Sequence, residues 1–185
     1  MPGSIFVITG PSGAGKTTVA GKLLARLGHL RKVVTCTTRP MREGEVAGVD
    51  YQFFSKKAFE QMIEEGEMFE WARVYNHYYG SKKKDVQDLL EGGFDVLFVI
   101  DVQGAKTLKE DHPESTVICI EAESPGALLE RLQKRDQGAT VNLEERKQAL
   151  EAEMAFCRSC KQRVVNKAGK IDETVEEVIK IMHRG

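Results

Sequence analysis

Residues 10–17 read GPSGAGKT, a complete G-x-x-x-x-G-K-[ST] phosphate-binding loop. The apolar run Ile5–Ile8 precedes the loop and predicts a strand, and helical spacing of Val19, Leu23 and Leu27 follows it. In this context glycines let the backbone wrap a polyphosphate, so that N–H groups and a helix N-terminus face anionic oxygens. A Gly-rich turn that matches by chance is the alternative, and the flanking elements argue against it. The segment therefore predicts a nucleoside triphosphate site.

The residues of this loop have separate predicted roles in binding ATP. The Lys16 ammonium can reach the β- and γ-phosphates, and the Thr17 hydroxyl can ligate Mg²⁺. The predicted ATP-binding residues are Gly10, Pro11, Ser12, Gly13, Ala14, Gly15, Lys16, Thr17 and Thr18.

The composition is typical of one compact α/β domain. With 185 residues, 41% of them hydrophobic and 30% charged, the chain is long enough to bury a core. It has 27 Lys and Arg against 28 Asp and Glu, and the net charge of −1 indicates neither a nucleic-acid partner nor a membrane partner. Apolar runs are no longer than a strand and the first begins close to Met1, so we expect no transmembrane span and no signal peptide. The protein is predicted to be cytoplasmic.

The four cysteines do not indicate a metal site. Cys36 and Cys119 fall in predicted strands, where a small buried hydrophobic side chain is the expected role. Cys157 and Cys160 form a C-x-x-C without the second pair that a structural zinc site needs. We expect reduced cysteines, as in a cytoplasmic protein.

The order of apolar segments predicts the fold class. Runs at residues 5–8, 33–37, 94–100, 116–120 and 163–166 predict strands, and helical patterns alternate with them. Such alternation predicts a central parallel sheet wrapped by helices. Residues 35–91 and 126–160 are rich in charge and break the alternation, so we interpret them as inserted lobes. In the first of these, residues 68–75 predict an antiparallel strand and Ser81 predicts a helix N-cap.

The first inserted lobe contains the parts of a second anion site. Arg39 and Arg42 lie three apart in a loop punctuated by Gly and Pro, where they can converge on one phosphate. Alone they would fit a solvated charged loop equally well. Further along the chain, Glu70 and the Tyr78–Ser81 segment add a carboxylate, two phenols and a hydroxyl. Together these groups suit a phosphate and a polar ring.

Six segments of the chain are similar in order and spacing to those of guanylate kinases: GPSGAGKT, TTRPMREGE, DY, FEWA, YYGS and IDVQG. The resemblance covers essentially the whole chain. It implies a three-layer α/β/α P-loop kinase with a central parallel sheet, a core of residues 1–34, 92–125 and 161–185, a GMP-binding lobe at 35–91 and a lid at 126–160. The implied reaction is Mg²⁺-dependent transfer of the γ-phosphoryl group from ATP to GMP, with dGMP as a further acceptor.

The same resemblance implies a set of GMP-binding residues. Two arginines and two tyrosines hold the monophosphate in that family, and a carboxylate, two hydroxyls and an aspartate recognise the base. The Glu70 carboxylate suits guanine because it can accept hydrogen bonds from N1–H and the exocyclic amine together, whereas adenine offers no such donor pair. The implied residues are Thr35, Arg39, Arg42, Glu45, Tyr51, Glu70, Tyr79, Ser81 and Asp101.

Catalysis by members of this family relies on positive charge around the phosphoryl group. Asp101 also follows a buried strand, where an acid often supports the magnesium ion of P-loop enzymes, although a helix cap is an alternative. The lid would contribute arginines, although an exposed solubilising helix would have a similar composition. The implied catalytic residues are Lys16, Arg39, Arg131, Arg135 and Arg146.

Two other functions are compatible with parts of this pattern. One is a non-catalytic interaction domain of guanylate-kinase type, but such domains typically lose the phosphate loop. The other is a related kinase with a different phosphorylated acceptor, against which the full guanine set argues. The expected partners are the small-molecule nucleotides ATP and GMP, without a nucleic acid or a membrane, and we expect a monomer or a small homo-oligomer.

Overall fold

The computed structural model describes residues 3–74, 76–124, 126–128 and 143–183, and the side chains of residues 143–147 lie outside this description. In chain order the strands are β1 (Ile5–Thr9), β2 (Leu30–Lys32), β3 (Cys36–Thr37), β4 (Gln52–Phe53), β5 (Met68–Val74), β6 (His77–Lys82), β7 (Asp95–Val99), β8 (Thr116–Ala122) and β9 (Gln162–Asn166). The helices are α1 (Lys16–Arg26), α2 (Lys56–Glu64), α3 (Lys83–Glu91), α4 (Val102–Asp111), α5 (Leu143–Ser159) and α6 (Ile171–Met182).

The strands form two sheets. A five-stranded sheet has the order β2-β7-β1-β8-β9, and its pairs β2–β7, β1–β8 and β8–β9 are parallel. A four-stranded sheet has the order β4-β3-β6-β5, and in it β6 runs antiparallel to both β3 and β5. The predicted parallel sheet is thus confirmed, as is the antiparallel strand predicted at residues 68–75.

The chain divides into two compact units. Unit 1 comprises Met1–Ile5, His29–Phe98 and Gln103–Ser115, and unit 2 comprises Phe6–Gly28, Val99–Val102 and Thr116–Gly185. Unit 1 therefore contains all of residues 35–91. The phosphate-binding loop belongs to unit 2.

Unit 1 contains the four-stranded sheet and a small core beneath it. Cys36, Phe59, Met62 and Met68 are buried together, and Tyr78 packs against them with its ring stacked on that of Phe59 at 5.3 Å. Ser55 is the N-cap of helix α2, and its side chain accepts a hydrogen bond from the Ala58 N–H. This core supports β5 and β6 from one side.

Unit 2 is built on the fully buried strand β1 and its parallel neighbour β8. All five residues of β1 are buried, as expected of a parallel strand covered on both faces. Helix α6 buries Val175 and Val178, while Asp172 and Glu176 on its exposed side form ion pairs with Arg26 of α1. The two helices therefore lie side by side.

Residues 33–37, which we predicted to be one strand, are divided between the two sheets. The Val33 N–H still bonds to the Leu97 carbonyl at 3.0 Å, as a continuation of the β2–β7 pairing. Cys36 instead pairs with β4 and β6. Residues on both sides of the division are buried, four of the five in this segment, so the local pattern alone could not show where the chain passes from one sheet to the other.

We had predicted that Ser81 caps helix α3, and this prediction is wrong. Ser81 is the fifth residue of β6 and is fully buried, and the N-cap position is taken by Lys82, whose side chain makes no capping bond. The Ser81 hydroxyl bonds instead to a carboxylate on the neighbouring strand. Because Ser81 is buried, its hydroxyl needs a hydrogen-bond partner inside the protein, and the carboxylate supplies one.

The prediction of reduced cysteines is wrong for two of the four. Cys119 of β8 and Cys157 of α5 form a disulfide, with their Cα atoms 5.6 Å apart, whereas Cys36 and Cys160 are free. The predicted burial of Cys36 and Cys119 is confirmed. Burial raises the pKa of the Cys36 thiol to about 12, which makes that residue an inert part of the core.

Candidate functional site

The phosphate-binding loop connects β1 to α1 in unit 2. Gly10, Gly13 and Gly15 have φ angles of 133°, 84° and 95°, which side-chain-bearing residues rarely adopt. A Cβ at Gly10 would overlap the Ile120 carbonyl of β8, so the loop passes directly over the sheet. No acidic residue occupies the first turn of α1, and the helix N-terminus is therefore suited to an anion.

Lys16 stands at the start of α1 and folds back over the loop. Its Nζ donates hydrogen bonds to the carbonyls of Gly10 and Pro11, at 2.6 and 3.1 Å. These contacts hold the ammonium above the same backbone that would wrap a phosphate chain. Thr17 and Thr18 follow on the exposed side of the helix.

Two residues that our reading of the sequence did not assign to the site hold the loop in place. The Asn166 amide donates to the Ala14 carbonyl at 2.9 Å, and its oxygen accepts from the Thr174 hydroxyl at 3.3 Å. The Ser12 N–H donates to Oε2 of Glu153 at 3.2 Å. Asn166 ends the parallel strand β9, and polar residues at strand ends are a signal that could have indicated it. Glu153 has no such signal.

The oxygen groups available for Mg²⁺ are a hydroxyl and a carboxylate. Thr17 exposes its hydroxyl in the first turn of α1, and Asp101 lies partly exposed between β7 and α4. Mg²⁺ prefers oxygen ligands and keeps several waters, so one protein hydroxyl and an acid near the phosphates suit it. Among the described residues, no group of three or more His, Cys, Asp and Glu could hold a metal by itself.

In unit 1 the predicted base-reading residues Glu70 and Ser81 are brought together. They face each other on β5 and β6, and the Ser81 hydroxyl donates to Oε1 of Glu70 at 2.9 Å. Glu70 is 3% exposed and Ser81 is fully buried. Thr35, the third predicted member, is also buried, and its carbonyl accepts the Gln52 N–H at 2.9 Å.

Arg39 is nearly buried and is held by Glu45. Its guanidinium forms a two-point ion pair with that carboxylate, one contact being 2.7 Å, and it also donates to the Pro40 carbonyl at 2.8 Å. The Arg42 backbone N–H donates to the same carboxylate at 2.8 Å. These contacts lower the pKa of Glu45 to about 2 and raise that of Arg39 above its ordinary value. Glu45 thus fixes one arginine and the turn that carries the other.

Aromatic rings surround the Arg39 guanidinium. Its Cζ lies 4.9 Å from the centroid of the Tyr51 ring and 5.8 Å from that of Phe53. Tyr51 meets Tyr79 edge to face, with the ring centroids 6.3 Å apart. Burial raises the pKa of the Tyr51 phenol, so it stays a hydrogen-bond donor at neutral pH. Phe53 had not been predicted as part of this cluster, although it alternates with Tyr51 along the chain.

The remaining predicted residues are less constrained or lie outside the description. Arg42 is exposed in the described structure. Arg131 and Arg135 fall outside the described residues, as does the side chain of Arg146 in α5. Just before the undescribed segment that contains Arg131 and Arg135, the Ser124 hydroxyl accepts the Ala127 N–H at 3.2 Å.

Known proteins resemble this chain over almost its whole length. The sequence model of the family described as guanylate kinase matches residues 3–184. A guanylate kinase of Idiomarina loihiensis is 42% identical over 166 residues, which are 89% of this chain and 79% of that protein. A guanylate kinase of Thermotoga maritima is 37% identical over 182 residues, which are 98% of this chain and 87% of that protein.

Solved structures agree with the sequence relatives. The crystal structure of guanylate kinase from Anaplasma phagocytophilum matches with a TM-score of 0.78 at 30% identity, covering 99% of this chain and 86% of that chain. None of the helices in the described part of the chain has the length and apolar character needed to cross a membrane.

Proposed function

The chain belongs to the guanylate kinase family, and we propose that it transfers the γ-phosphoryl group of ATP to GMP, giving ADP and GDP. We propose dGMP as a further acceptor. The observation that carries the proposal is that one chain contains both a complete phosphate loop and a buried carboxylate–hydroxyl pair suited to guanine. The expected organisation is a core of residues 1–34, 92–125 and 161–185, with a GMP-binding lobe at 35–91 and a lid at 126–160.

The donor nucleotide would bind at residues Gly10–Thr18. Backbone N–H groups of the loop and the N-terminus of α1 would hold the phosphates, and Lys16 would place its charge on the β- and γ-phosphates. Thr17 would ligate Mg²⁺ directly, with Asp101 supporting it. When bound with ATP, the ion would supply further positive charge at the phosphate oxygens.

The acceptor phosphate would bind at the Arg39 cluster. Arg39 and Arg42 offer forked guanidinium donors, which suit a phosphate better than ammonium groups do. The Tyr51 and Tyr79 hydroxyls would donate to the remaining oxygens. Glu45 would keep Arg39 oriented for the phosphate.

The base would be recognised by groups that complement guanine. Glu70 would accept hydrogen bonds from N1–H and the exocyclic amine, and the Ser81 hydroxyl already orients that carboxylate. Thr35 and Asp101 complete the set that the family resemblance implies. AMP would instead present an acceptor at N1 to the carboxylate, and two acceptors that face each other repel.

Phosphoryl transfer in this arrangement needs no general base. An oxygen of the GMP phosphate is anionic at neutral pH and attacks the γ-phosphorus, the bond to the β,γ-bridging oxygen breaks, and ADP leaves with that electron pair. Catalysis then consists of alignment and neutralisation of charge. Lys16, Arg39 and the lid residues Arg131, Arg135 and Arg146 would provide that charge.

The two alternative functions are less well supported. A non-catalytic interaction domain would have no need for the glycines with positive φ, nor for Lys16 folded over them. A kinase acting on another acceptor would have no need for the buried Glu70–Ser81 pair. We further propose a cytoplasmic protein that acts as a monomer or small homo-oligomer and binds these nucleotides with Mg²⁺.

A coupled assay tests the proposal directly. Purified protein is incubated with ATP, Mg²⁺ and each nucleoside monophosphate in turn, and nucleoside diphosphate formation is followed. GMP should be converted far faster than AMP, CMP or UMP. Folded protein that forms no GDP would overturn the catalytic proposal, and equal use of AMP would overturn the choice of acceptor.

A further inference from the structure

The phosphate loop is in contact with a partly buried acid from a distant part of the chain. The Ser12 N–H donates to Oε2 of Glu153 across 141 residues of sequence. Backbone N–H groups of such loops commonly face phosphate oxygens. Here a protein carboxylate is bonded to one of these N–H groups, although it lies beside a site for a highly charged anion. This arrangement calls for an explanation.

Helix α5 is anchored in a way that places Glu153 at the loop. Leu150, Glu153 and Cys157 are spaced three and four residues apart and so lie on one face of the helix. Leu150 and Cys157 are buried, and the disulfide joins Cys157 to Cys119 of β8. Glu153 lies about one helical turn from that covalent attachment. The contact with Ser12 is therefore held by the packing of Leu150 and Cys157 on either side of Glu153.

The electrostatic surroundings of Glu153 show that its presence has a cost. Burial raises the pKa of its carboxyl group, and the charge of Asp101 acts in the same direction. The Ser12 N–H and the charge of Lys16 oppose them. An apolar side chain of similar size would fill the same space without this desolvation penalty. Packing alone does not account for an acid at this position.

We propose that Glu153 is a positioning residue for the donor nucleotide. Its hydrogen bond sets the orientation of the Ser12 peptide unit and so of the loop N–H groups that follow. Asn166 holds the Ala14 carbonyl two residues further on, so the backbone of this short segment is held at both ends. This inference rests on the proposed function, because it concerns how ATP is held at that loop.

Two substitutions separate the hydrogen bond from the charge and the volume. Glu153→Gln keeps an acceptor oxygen without the charge, and Glu153→Met keeps a similar volume without the acceptor. The Met variant should raise the KM for ATP about tenfold, the scale of one lost hydrogen bond to a charged group, and leave the KM for GMP unchanged. The Gln variant should restore the wild-type value. Glu151→Gln, an exposed acid on the same helix, is the matched control and should change nothing.

Binding of a non-hydrolysable ATP analogue with Mg²⁺, measured by calorimetry, gives the same comparison without turnover. The inference can therefore fail while the choice of GMP stands, or hold if GMP is not the acceptor. Wild-type affinity in the Met variant would overturn it. Equal weakening in the Gln and Met variants would also overturn it, because the charge would then matter and the hydrogen bond would not.

Hydrogen exchange at the Ser12 amide covers the case in which the Met variant does not fold. The amide is followed by NMR in the wild-type chain and in Glu153→Gln. Slow exchange in both supports the inference, since both retain an acceptor. Exchange of the wild-type Ser12 amide at the rate of an unprotected amide would overturn it.

Discussion

The Ser81 hydroxyl donates a hydrogen bond of 2.9 Å to Oε1 of Glu70, and the two residues are directly paired on strands β5 and β6. Both side chains are buried. A carboxylate that is buried away from water keeps its orientation when a fixed donor holds one of its oxygens, and a buried acceptor interacts strongly with a hydrogen-bond donor. The pair therefore favours a ligand that brings two hydrogen-bond donors.

We predict that acceptor choice depends most heavily on Glu70. A site built around such hydrogen bonds can reject the wrong partner by roughly four orders of magnitude. Glu70→Gln keeps the shape but loses the charge and one acceptor, so kcat/KM for GMP should fall sharply. AMP should gain slightly, because the amide can donate to its N1. The measurement is kcat/KM for GMP and AMP in wild type and mutant, and an unchanged ratio would show that Glu70 does not read the base.

Lys16→Ala should remove turnover while leaving the fold intact. The substitution deletes the positive charge expected at the β- and γ-phosphates, and the rate should fall by at least about a hundredfold, the scale of one lost transition-state donor. Circular dichroism checks the fold, and the coupled assay measures the rate. A mutant with most of its activity would show that the loop is not the donor site.

Arg131→Ala and Arg135→Ala should lower kcat more than they raise the KM for GMP. Their charge is expected to act on the phosphoryl group in the transition state, and such interactions affect kcat. Steady-state kinetics with each nucleotide varied in turn makes the comparison. A change confined to the KM for GMP would assign these arginines to acceptor binding.

The ion pair between Arg39 and Glu45 should make the free energy of unfolding depend on pH in the acid range. The pKa of Glu45 is lowered from 4.5 to about 2 in the folded chain, so the pair stabilises fully above about pH 4.5 and loses its effect as the pH falls toward 2. Glu45→Gln should lower the free energy of unfolding at pH 7 by about 1 kcal/mol, since solvent screens part of the attraction, and the difference from wild type should shrink below pH 4.5.

Urea unfolding of both proteins between pH 2 and 7 measures this effect. The exposed neighbour Glu43 provides the control, because Glu43→Gln should leave the unfolding free energy nearly unchanged at every pH. A difference between wild type and Glu45→Gln that is the same at pH 7 and pH 3 would contradict the prediction.

The disulfide between Cys119 and Cys157 should contribute to stability only under oxidising conditions. Its sequence separation of 38 residues corresponds to about 4 kcal/mol in the chain-entropy description. A reductant should therefore lower the unfolding free energy of the wild-type chain and leave that of the Cys119→Ala/Cys157→Ala double variant unchanged. Cys160→Ser should respond to the reductant as wild type does. In a reducing cytoplasm the contribution of the disulfide to the free energy of unfolding would be lost.

Local patterns predicted the elements of this fold better than they predicted its contacts. The phosphate loop and the strand before it could be recognised because glycine spacing and an apolar run are local signals. The prediction of a single strand at residues 33–37 was wrong because burial in either sheet produces the same composition. The prediction of an N-cap at Ser81 was wrong because a serine just before a helix is typical of a cap, and its partner across the sheet cannot be read from the local sequence.

Contacts between distant segments could not be predicted from pattern alone. In the sequence, Glu153 does not differ from the other acids of a charged helix. Its contact with the Ser12 N–H depends on the packing of α5 against β8. The pairing of Cys119 with Cys157 depends on the same packing. The assignment of Glu70 and Ser81 to base recognition came from the family resemblance, and the register of β5 and β6 shows how the two side chains meet.

The hydrogen bond from the Asn166 side chain to the phosphate loop has a consequence for folding during synthesis of the chain. The loop is complete in sequence once Thr17 has been synthesised, but the amide that supports Ala14 lies 152 residues after Ala14. Asn166 is in turn bonded to Thr174, a further eight residues along the chain. During translation, the phosphate-binding loop is therefore synthesised long before the side chain that supports it. A nascent chain lacks this support until the segment that contains Asn166 and Thr174 has emerged from the ribosome and folded.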